Sequence, residues 1–339
     1  MIKPLFNYEW ELKNGYPQSL DNSVTPCDYK VFGTFINGGG STMGYKLAGF
    51  KHLGGVEIDD KTAECYKLNH NPKHLYIQDL REFNKRDDLP SELYNLDILD
   101  GSPPCTTFST AGDRDKSQGI EKTFKEGNTK QTLDDLLFVY ADTINKLKPK
   151  VFIMENVVGL SHKNNALYIK EFANKLQDYT IQYFILNAAN MRLPQARERF
   201  FAIGHLKEYK LPKLNLDFKG EIIPFSKVSD MSDTKQTLRQ GTKTLDYWNK
   251  AKQGEAVGKF ESRKKVIDNK PVPTLTTTPH YHPHIPRELN QREYCLCGSY
   301  PLDYKFTGHS YNFYIGMSVP PIMIANIAYQ IRVQWLDKL

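Results

Sequence analysis

Between Lys30 and His205, short apolar runs alternate with longer stretches whose apolar residues recur at helical spacing. "KVFGTFI" reads as a strand and "STMGYKLAGF" as a helix, followed by "GGVEI", "DKTAECYKLNH" and "HLYIQDL" as strand, helix and strand. "NLDILDG", "KVFIMEN", "TIQYFILNA" and "RFFAIGHL" continue the strands, with "TLDDLLFVYADTINKLK" and "ALYIKEFANKLQDY" as helices between them. Strands separated by helices of ten or more residues predict an α/β fold built on a doubly wound, mostly parallel sheet.

Past His205 the alternation stops, and the charge shifts with it. The chain carries a formal +6, with 45 Lys and Arg against 39 Asp and Glu. Residues 206–270 hold fifteen basic and nine acidic side chains, so the rest balances at 30 against 30. Positive charge concentrated in one segment suits a polyanion such as nucleic acid, although a solvated lysine-rich surface gives the same count. The sequence predicts an N-terminal arm over 1–29 and a main domain over 30–205, completed by 306–339. A smaller domain is expected over 206–305.

In a doubly wound sheet, ligands sit beyond the carboxyl ends of the strands. The first strand ends in "FINGGG", where Gly38, Gly39 and Gly40 let a ligand approach the backbone. Glu57 closes the second strand, placed to hold ribose hydroxyls, and Asp79 closes the third, placed to accept from an adenine amine. Loop, acid and acid on successive strands form a nucleoside-binding edge. The next strand runs into Ser102-Pro103-Pro104-Cys105. Two prolines stiffen that turn and hold the cysteine at a defined place. Glu155 ends a further strand, and Arg197 and Arg199 alternate along another, so both face one side.

In this order the motifs resemble those of the DNA cytosine-5 methyltransferases, over most of residues 31–335. "FINGGG…GYKLAGF" is similar to the family's first cofactor loop, "VEID" to its ribose site and "GSPPCTTFSTAG" to its Pro-Cys nucleophile loop. "ENV", "QARER", "KPVPTLTT", "RELNQREYCLCGSYPLDYKF" and "GMSVPP" are similar to the later motifs. The chain departs from the pattern at Gly33, at Asn37 (usually glycine), at Met317 (usually asparagine) and at Gly298-Ser299.

The resemblance implies a Rossmann-like methyltransferase domain with a smaller target-recognition domain, and S-adenosyl-L-methionine as cofactor. It implies Cys105, Glu155, Arg197 and Arg199 as the catalytic residues. Cofactor contacts are expected from Phe35, Gly38, Gly39, Gly40, Glu57 and Ile58. Asp79, Leu80, Ser102, Pro104, Leu136 and Ser318 complete that set. A thiolate adding to carbon 6 of cytosine makes carbon 5 nucleophilic, which is covalent catalysis. The cytosine has to leave the duplex first, and contacts to double-stranded DNA offset that cost. Gln195, Arg239, Gln240, Arg263 and Lys264 are the expected DNA contacts. Two other readings remain open: a transfer-RNA methyltransferase with the same chemistry, and a DNA-binding protein without catalysis.

Five scattered cysteines give no paired zinc spacing, so no metal site is expected. No apolar run approaches the length of a membrane span, and the first residues lack a secretory pattern. The expectation is a cytoplasmic monomer, with a restriction endonuclease of matching specificity as a candidate partner.

Overall fold

The computed structural model describes residues 1–18, 24–104, 122–123, 130–131, 135–235 and 237–339. Its centre is a seven-stranded sheet: β1 Lys30–Thr34, β2 Lys51–Glu57, β3 His74–Ile77, β4 Ile98–Gly101, β5 Val151–Asn156, β6 Tyr179–Asn187 and β7 Glu198–Leu206. The spatial order is β6-β7-β5-β4-β1-β2-β3. β5, β4, β1, β2 and β3 run parallel, and β7 pairs antiparallel with both β5 and β6. The doubly wound sheet expected from the sequence is present.

Alternation of side chains explains why the central strands read as unbroken apolar runs. Val151 and Ile153 of β5 enter one apolar cluster, with Val31, Phe201 and Ile203. Phe152 and Met154 enter a second on the opposite face, with Phe32, Phe200 and Ala202. Helices α1 Gly40–Leu47 and α8 Pro321–Gln334 cover the first face. Helices α3 Leu80–Lys85, α4 Leu136–Leu147 and α5 Ala166–Lys175 cover the second. Between β2 and β3 lies α2, Asp60–His70, started by Asp59, whose carboxylate accepts from the Thr62 amide.

The N-terminal segment is not a free arm. Phe6, Trp10 and Leu12 are buried in the first cluster. Trp10 Nε1 donates to the Ser299 carbonyl at 2.9 Å, and the Leu12 amide to Asp303 at 2.6 Å. An indole needs such a partner once it leaves water.

The region after β7 divides differently from the expected 206–305. Leu214, Leu216, Phe218, Phe225, Leu275 and Leu289 join the main core. So does α7, Gln291–Gly298, which opens on a reciprocal capping box between Asn290 and Glu293. Among the described residues, Leu238, Leu245, Trp248, Val257 and Tyr281 form a separate cluster, built around α6, Lys243–Lys250. The two parts are joined by a buried ion pair, Arg287 with Glu293 at 2.7 and 2.9 Å. Arg287 also donates to the carbonyls of Asp230 and Asp233, so its remaining N–H groups are not stranded. Among the described residues no helix is long and apolar enough to cross a membrane.

Candidate active site

The loop after β1 makes three left-handed turns in five residues: Phe35 at φ 55°, Asn37 at 46° and Gly39 at 81°. Asparagine tolerates this region better than most side chains, which accounts for Asn37 at a position where glycine is usual. Its Oδ1 accepts from the Gly38 amide at 2.6 Å. Gly38 itself admits no side chain, because a Cβ there would lie 2.7 Å from the Tyr314 ring.

Glu57 stands at the end of β2, as expected. Its Oε1 accepts from the amides of Ile58 and Asp59, and its Oε2 from that of Asn37. A carboxylate offers about four acceptor positions, so capacity remains for one ribose hydroxyl. Burial pushes the Glu57 carboxyl pKa up, and these three amides oppose the shift. Asp79 stands just past the end of β3, with partners within the chain. It caps α3 by accepting from the Arg81 amide and pairs with the Arg81 guanidinium at 3.0 Å, so its charge is balanced within the chain. Ile58 and Phe35 are half-buried beside this edge, and Leu80 and Leu136 are buried. Ser318 is buried too, its Oγ 2.6 Å from the Tyr300 hydroxyl. Met317, in the asparagine position of the closing motif, is exposed.

One strand over, β4 leads into Ser102, Pro103 and Pro104. Cys105 lies outside the described residues. Asn156, at the end of β5, donates from Nδ2 to the Pro103 carbonyl at 3.2 Å and accepts at Oδ1 from the Val157 amide. That bond ties the root of the cysteine loop to the neighbouring strand. Beside it, Glu155 Oε1 sits 2.9 Å from Arg199 Nε, both side chains little exposed. The antiparallel step from β5 to β7 brings these two together, since Phe201 lies opposite Glu155.

Arg197 faces the same interior. Its guanidinium donates to the carbonyls of Leu275 at 2.9 Å and Gly316 at 3.2 Å, tying the arginine strand to the segments before and after α7. Burial and the charge of Arg199 pull its pKa down, and Glu155 opposes them. Gly316 has to be glycine, for a Cβ would come within 2.3 Å of the Thr276 backbone.

Sequence reasoning overlooked Asp100, a carboxyl buried in β4 between these groups. Its placement inside an otherwise apolar strand was the available signal. Tyr45 donates to it at 2.9 Å. Burial is the main cause that raises its pKa to about 7; hydrogen bonds from Tyr45 and Ser41 oppose this, and the Glu155 charge adds to it. A carboxyl raised in the folded state binds its proton more tightly there than in the unfolded chain. Its effect is absent below about pH 4 and grows as pH rises to about 7, where the destabilisation is complete. Asp100→Asn is therefore expected to gain stability relative to wild type across that window. Thermal unfolding of both proteins at a series of pH values checks this, and a constant difference in Tm would refute it.

The expected DNA contacts separate into two groups. Arg239 and Gln240 are exposed before α6. Arg263 lies over the Phe260 ring at 5.4 Å, and Lys264 pairs with Glu261 at 2.5 Å. Gln195 is a correction. It is buried, its Nε2 donating to the Cys297 carbonyl and its Oε1 accepting from the Leu275 amide, both at 3.0 Å. A side-chain amide with both ends so used braces the interior and has no reach toward a base. Cys295 and Cys297 are buried in α7, and burial pushes the Cys295 thiol up to about 12. Among the described residues no three His, Cys, Asp or Glu side chains are placed to hold a metal ion.

Known proteins are similar to this chain in sequence or in fold. The chain is 32% identical to the type II methyltransferase M.Sau96I of Staphylococcus aureus, over 87% of this chain and 74% of that one. It is 26% identical to the type II methyltransferase M.AplI of Arthrospira platensis, over 91% and 87%. A crystal structure described as a prophage-encoded DNA modification methyltransferase from E. coli superposes with a TM-score of 0.71 at 20% identity, covering 91% of this chain and 99% of that one. Dnmt2 of S. pombe has the same fold, at a TM-score of 0.61 and 14% identity, over 92% and 99%. The family model for C-5 cytosine-specific DNA methylase matches residues 29–333, and on that match the chain belongs to this family.

Proposed function

We propose that this protein methylates carbon 5 of a cytosine turned out of a specific duplex DNA sequence, with Cys105 as nucleophile and Glu155 and Arg199 holding the ring. The observation that carries this reading is the Glu155–Arg199 pair, 2.9 Å apart, beside a strand end that Asn156 bonds to the root of the cysteine loop. C-5 DNA methyltransferases use S-adenosylmethionine, which supplies an electrophilic methyl group.

The chain's own residues supply the rest. The Cys105 thiolate adds to carbon 6, and the ring electrons move to carbon 5, which becomes able to accept the methyl. A free thiol with a pKa of about 8.5 is only slightly ionised near neutrality. Positive charge from Arg197 or Arg199 would favour its thiolate. Glu155 bonds the ring nitrogen and exocyclic amine as charge reaches the ring, and Arg199 bonds the carbonyl oxygen. A base, by default water, takes the carbon 5 proton; the C–H electrons restore the 5,6 double bond and the sulfur leaves as thiolate. Arg197 positions this rim through its two carbonyl bonds rather than touching the base.

Phe35, Gly38 to Gly40, Glu57 and Ile58 would hold the donor from the loop side. Asp79, Leu80, Ser102, Pro104, Leu136 and Ser318 would hold it from the neighbouring strand ends and the closing motif. The separate cluster around α6, with Arg239 and Gln240 exposed beside it, is the proposed target-recognition domain. Relatives named as type II methyltransferases support a place in restriction and modification; action in the cytoplasm as a monomer, with a cognate endonuclease as partner, is part of the same proposal.

Purified protein should incorporate methyl groups from the donor into duplex DNA at a single short sequence, found by mapping methylated cytosines. Incorporation should fall steeply with salt, as phosphate contacts require. Methylation of transfer RNA but not duplex DNA would overturn the substrate; incorporation into neither would overturn the activity.

A further inference from the structure

The glycine loop does not hold its shape alone. The Gly38 carbonyl accepts from the Tyr304 hydroxyl at 2.5 Å and faces His70 Nε2 at 3.4 Å. Tyr304 comes from a segment 266 residues further along the chain. Its ring is buried among Tyr300, Phe306 and His70, with centroids 5.2, 4.8 and 6.2 Å away. The backbone beside it is pinned separately, because the Lys305 amide and carbonyl exchange hydrogen bonds with the Asn69 side chain, both at 2.9 Å. The hydroxyl is thus delivered to one carbonyl from a fixed ring on a fixed backbone.

That carbonyl belongs to the peptide between Gly38 and Gly39. The Gly39 amide of the same peptide bonds the Ile36 carbonyl at 2.9 Å. Gly39 is left-handed, and a Cβ on it would lie 2.3 Å from His70 Nε2. Glycines carry no side chain to resist rotation, so a peptide between two of them turns over easily unless both ends are held. Tyr304 holds one end and Ile36 the other.

We infer that Tyr304 is a positioning residue for the methyl donor: its hydroxyl keeps the Gly38–Gly39 peptide turned so that the loop presents a formed cradle. The inference rests on the reading that this loop binds the donor. The 299–305 segment follows directly on α7, which carries Glu293 of the buried pair with Arg287. The cradle is therefore braced by the same part of the chain that anchors the small cluster, so donor affinity depends on a residue far from the loop in sequence.

Titration calorimetry with S-adenosylmethionine on the full-length wild type, Tyr304→Phe and Tyr294→Phe tests this. Phenylalanine keeps the packed ring and leaves a buried acceptor short of a partner, a loss of about tenfold in affinity. Tyr294→Phe is the matched control, since its buried hydroxyl bonds the His280 amide and lies away from the loop. Tyr304→Phe should raise the donor Kd and KM about tenfold, leaving the kcat at saturating donor and the KM for DNA within about twofold. The control should leave the donor Kd unchanged. Should Tyr304→Phe not fold, Tyr304→Met, which also lacks the hydroxyl, should show the same shift. A Tyr304→Phe Kd within about twofold of wild type, or an equal rise in the control, overturns the inference alone. A wild type that binds no donor overturns both the inference and the reading beneath it.

Discussion

Replacing Cys105 with alanine should lower methyl transfer by about 10⁴-fold or more, the scale seen when an enzyme loses its nucleophile, while duplex DNA still binds. Carbon 5 of cytosine is too electron-poor to take a methyl until a nucleophile adds at carbon 6. Among the described cysteines, none is placed to act in its stead. Cys65, Cys295 and Cys297 are buried, and Cys27 is half-buried with its thiol donating to the Gly49 carbonyl at 3.3 Å. Burial raises the pKa of Cys27, Cys295 and Cys297, which favours the unreactive thiol. Single-turnover methyl incorporation, with DNA binding measured alongside, gives the comparison. Residual turnover within about tenfold of wild type would remove Cys105 from the mechanism.

Glu155→Gln should lower kcat by about 10² to 10⁴, the range for a positioned acid or base. Glutamine has the shape of glutamate, and its carbonyl can still accept from Arg199. What it loses is the charge opposite Arg199 and the capacity to exchange a proton with the ring nitrogen. The variant also removes a carboxylate charge that offsets the buried positive charge of Arg197, which burial already makes costly. Some stability should therefore be lost, and the kinetic effect has to be read well below the variant's Tm. Steady-state kinetics should show the fall in kcat with the KM for the donor unchanged, because Glu155 lies on a different strand end from the glycine loop. An unchanged kcat would leave Glu155 with only a structural role.

How much of this was legible from the residues follows from how local each cause is. The sheet was, because a strand buried on both faces must be apolar throughout, and "KVFIMEN" between two helices has few other readings. So were the positions of the glycine loop and Glu57, because a doubly wound sheet sets both at strand ends, where ligands are expected. Asp79 reads as a ligand group from its position, while its capping of α3 and its pairing with Arg81 are not evident from the sequence. Gln195 read as a base contact from its motif, yet both its partners, Leu275 and Cys297, come from distant segments. The N-terminal segment lacks periodicity because Phe6 and Trp10 pack singly into a core made elsewhere, and Trp10 finds its acceptor 289 residues away. Tyr304 belongs with these. Nothing near it in sequence points to a carbonyl in the first loop.

A duplex carrying 5-fluorocytosine at the mapped target base tests the central claim most directly, since fluorine cannot leave as the carbon 5 proton does and the sulfur–carbon bond persists. The account predicts a one-to-one protein–DNA complex that survives denaturation, forms only with S-adenosylmethionine present, and yields a peptide mass placing the link at Cys105. DNA and donor that both bind, with no covalent complex formed, would contradict it.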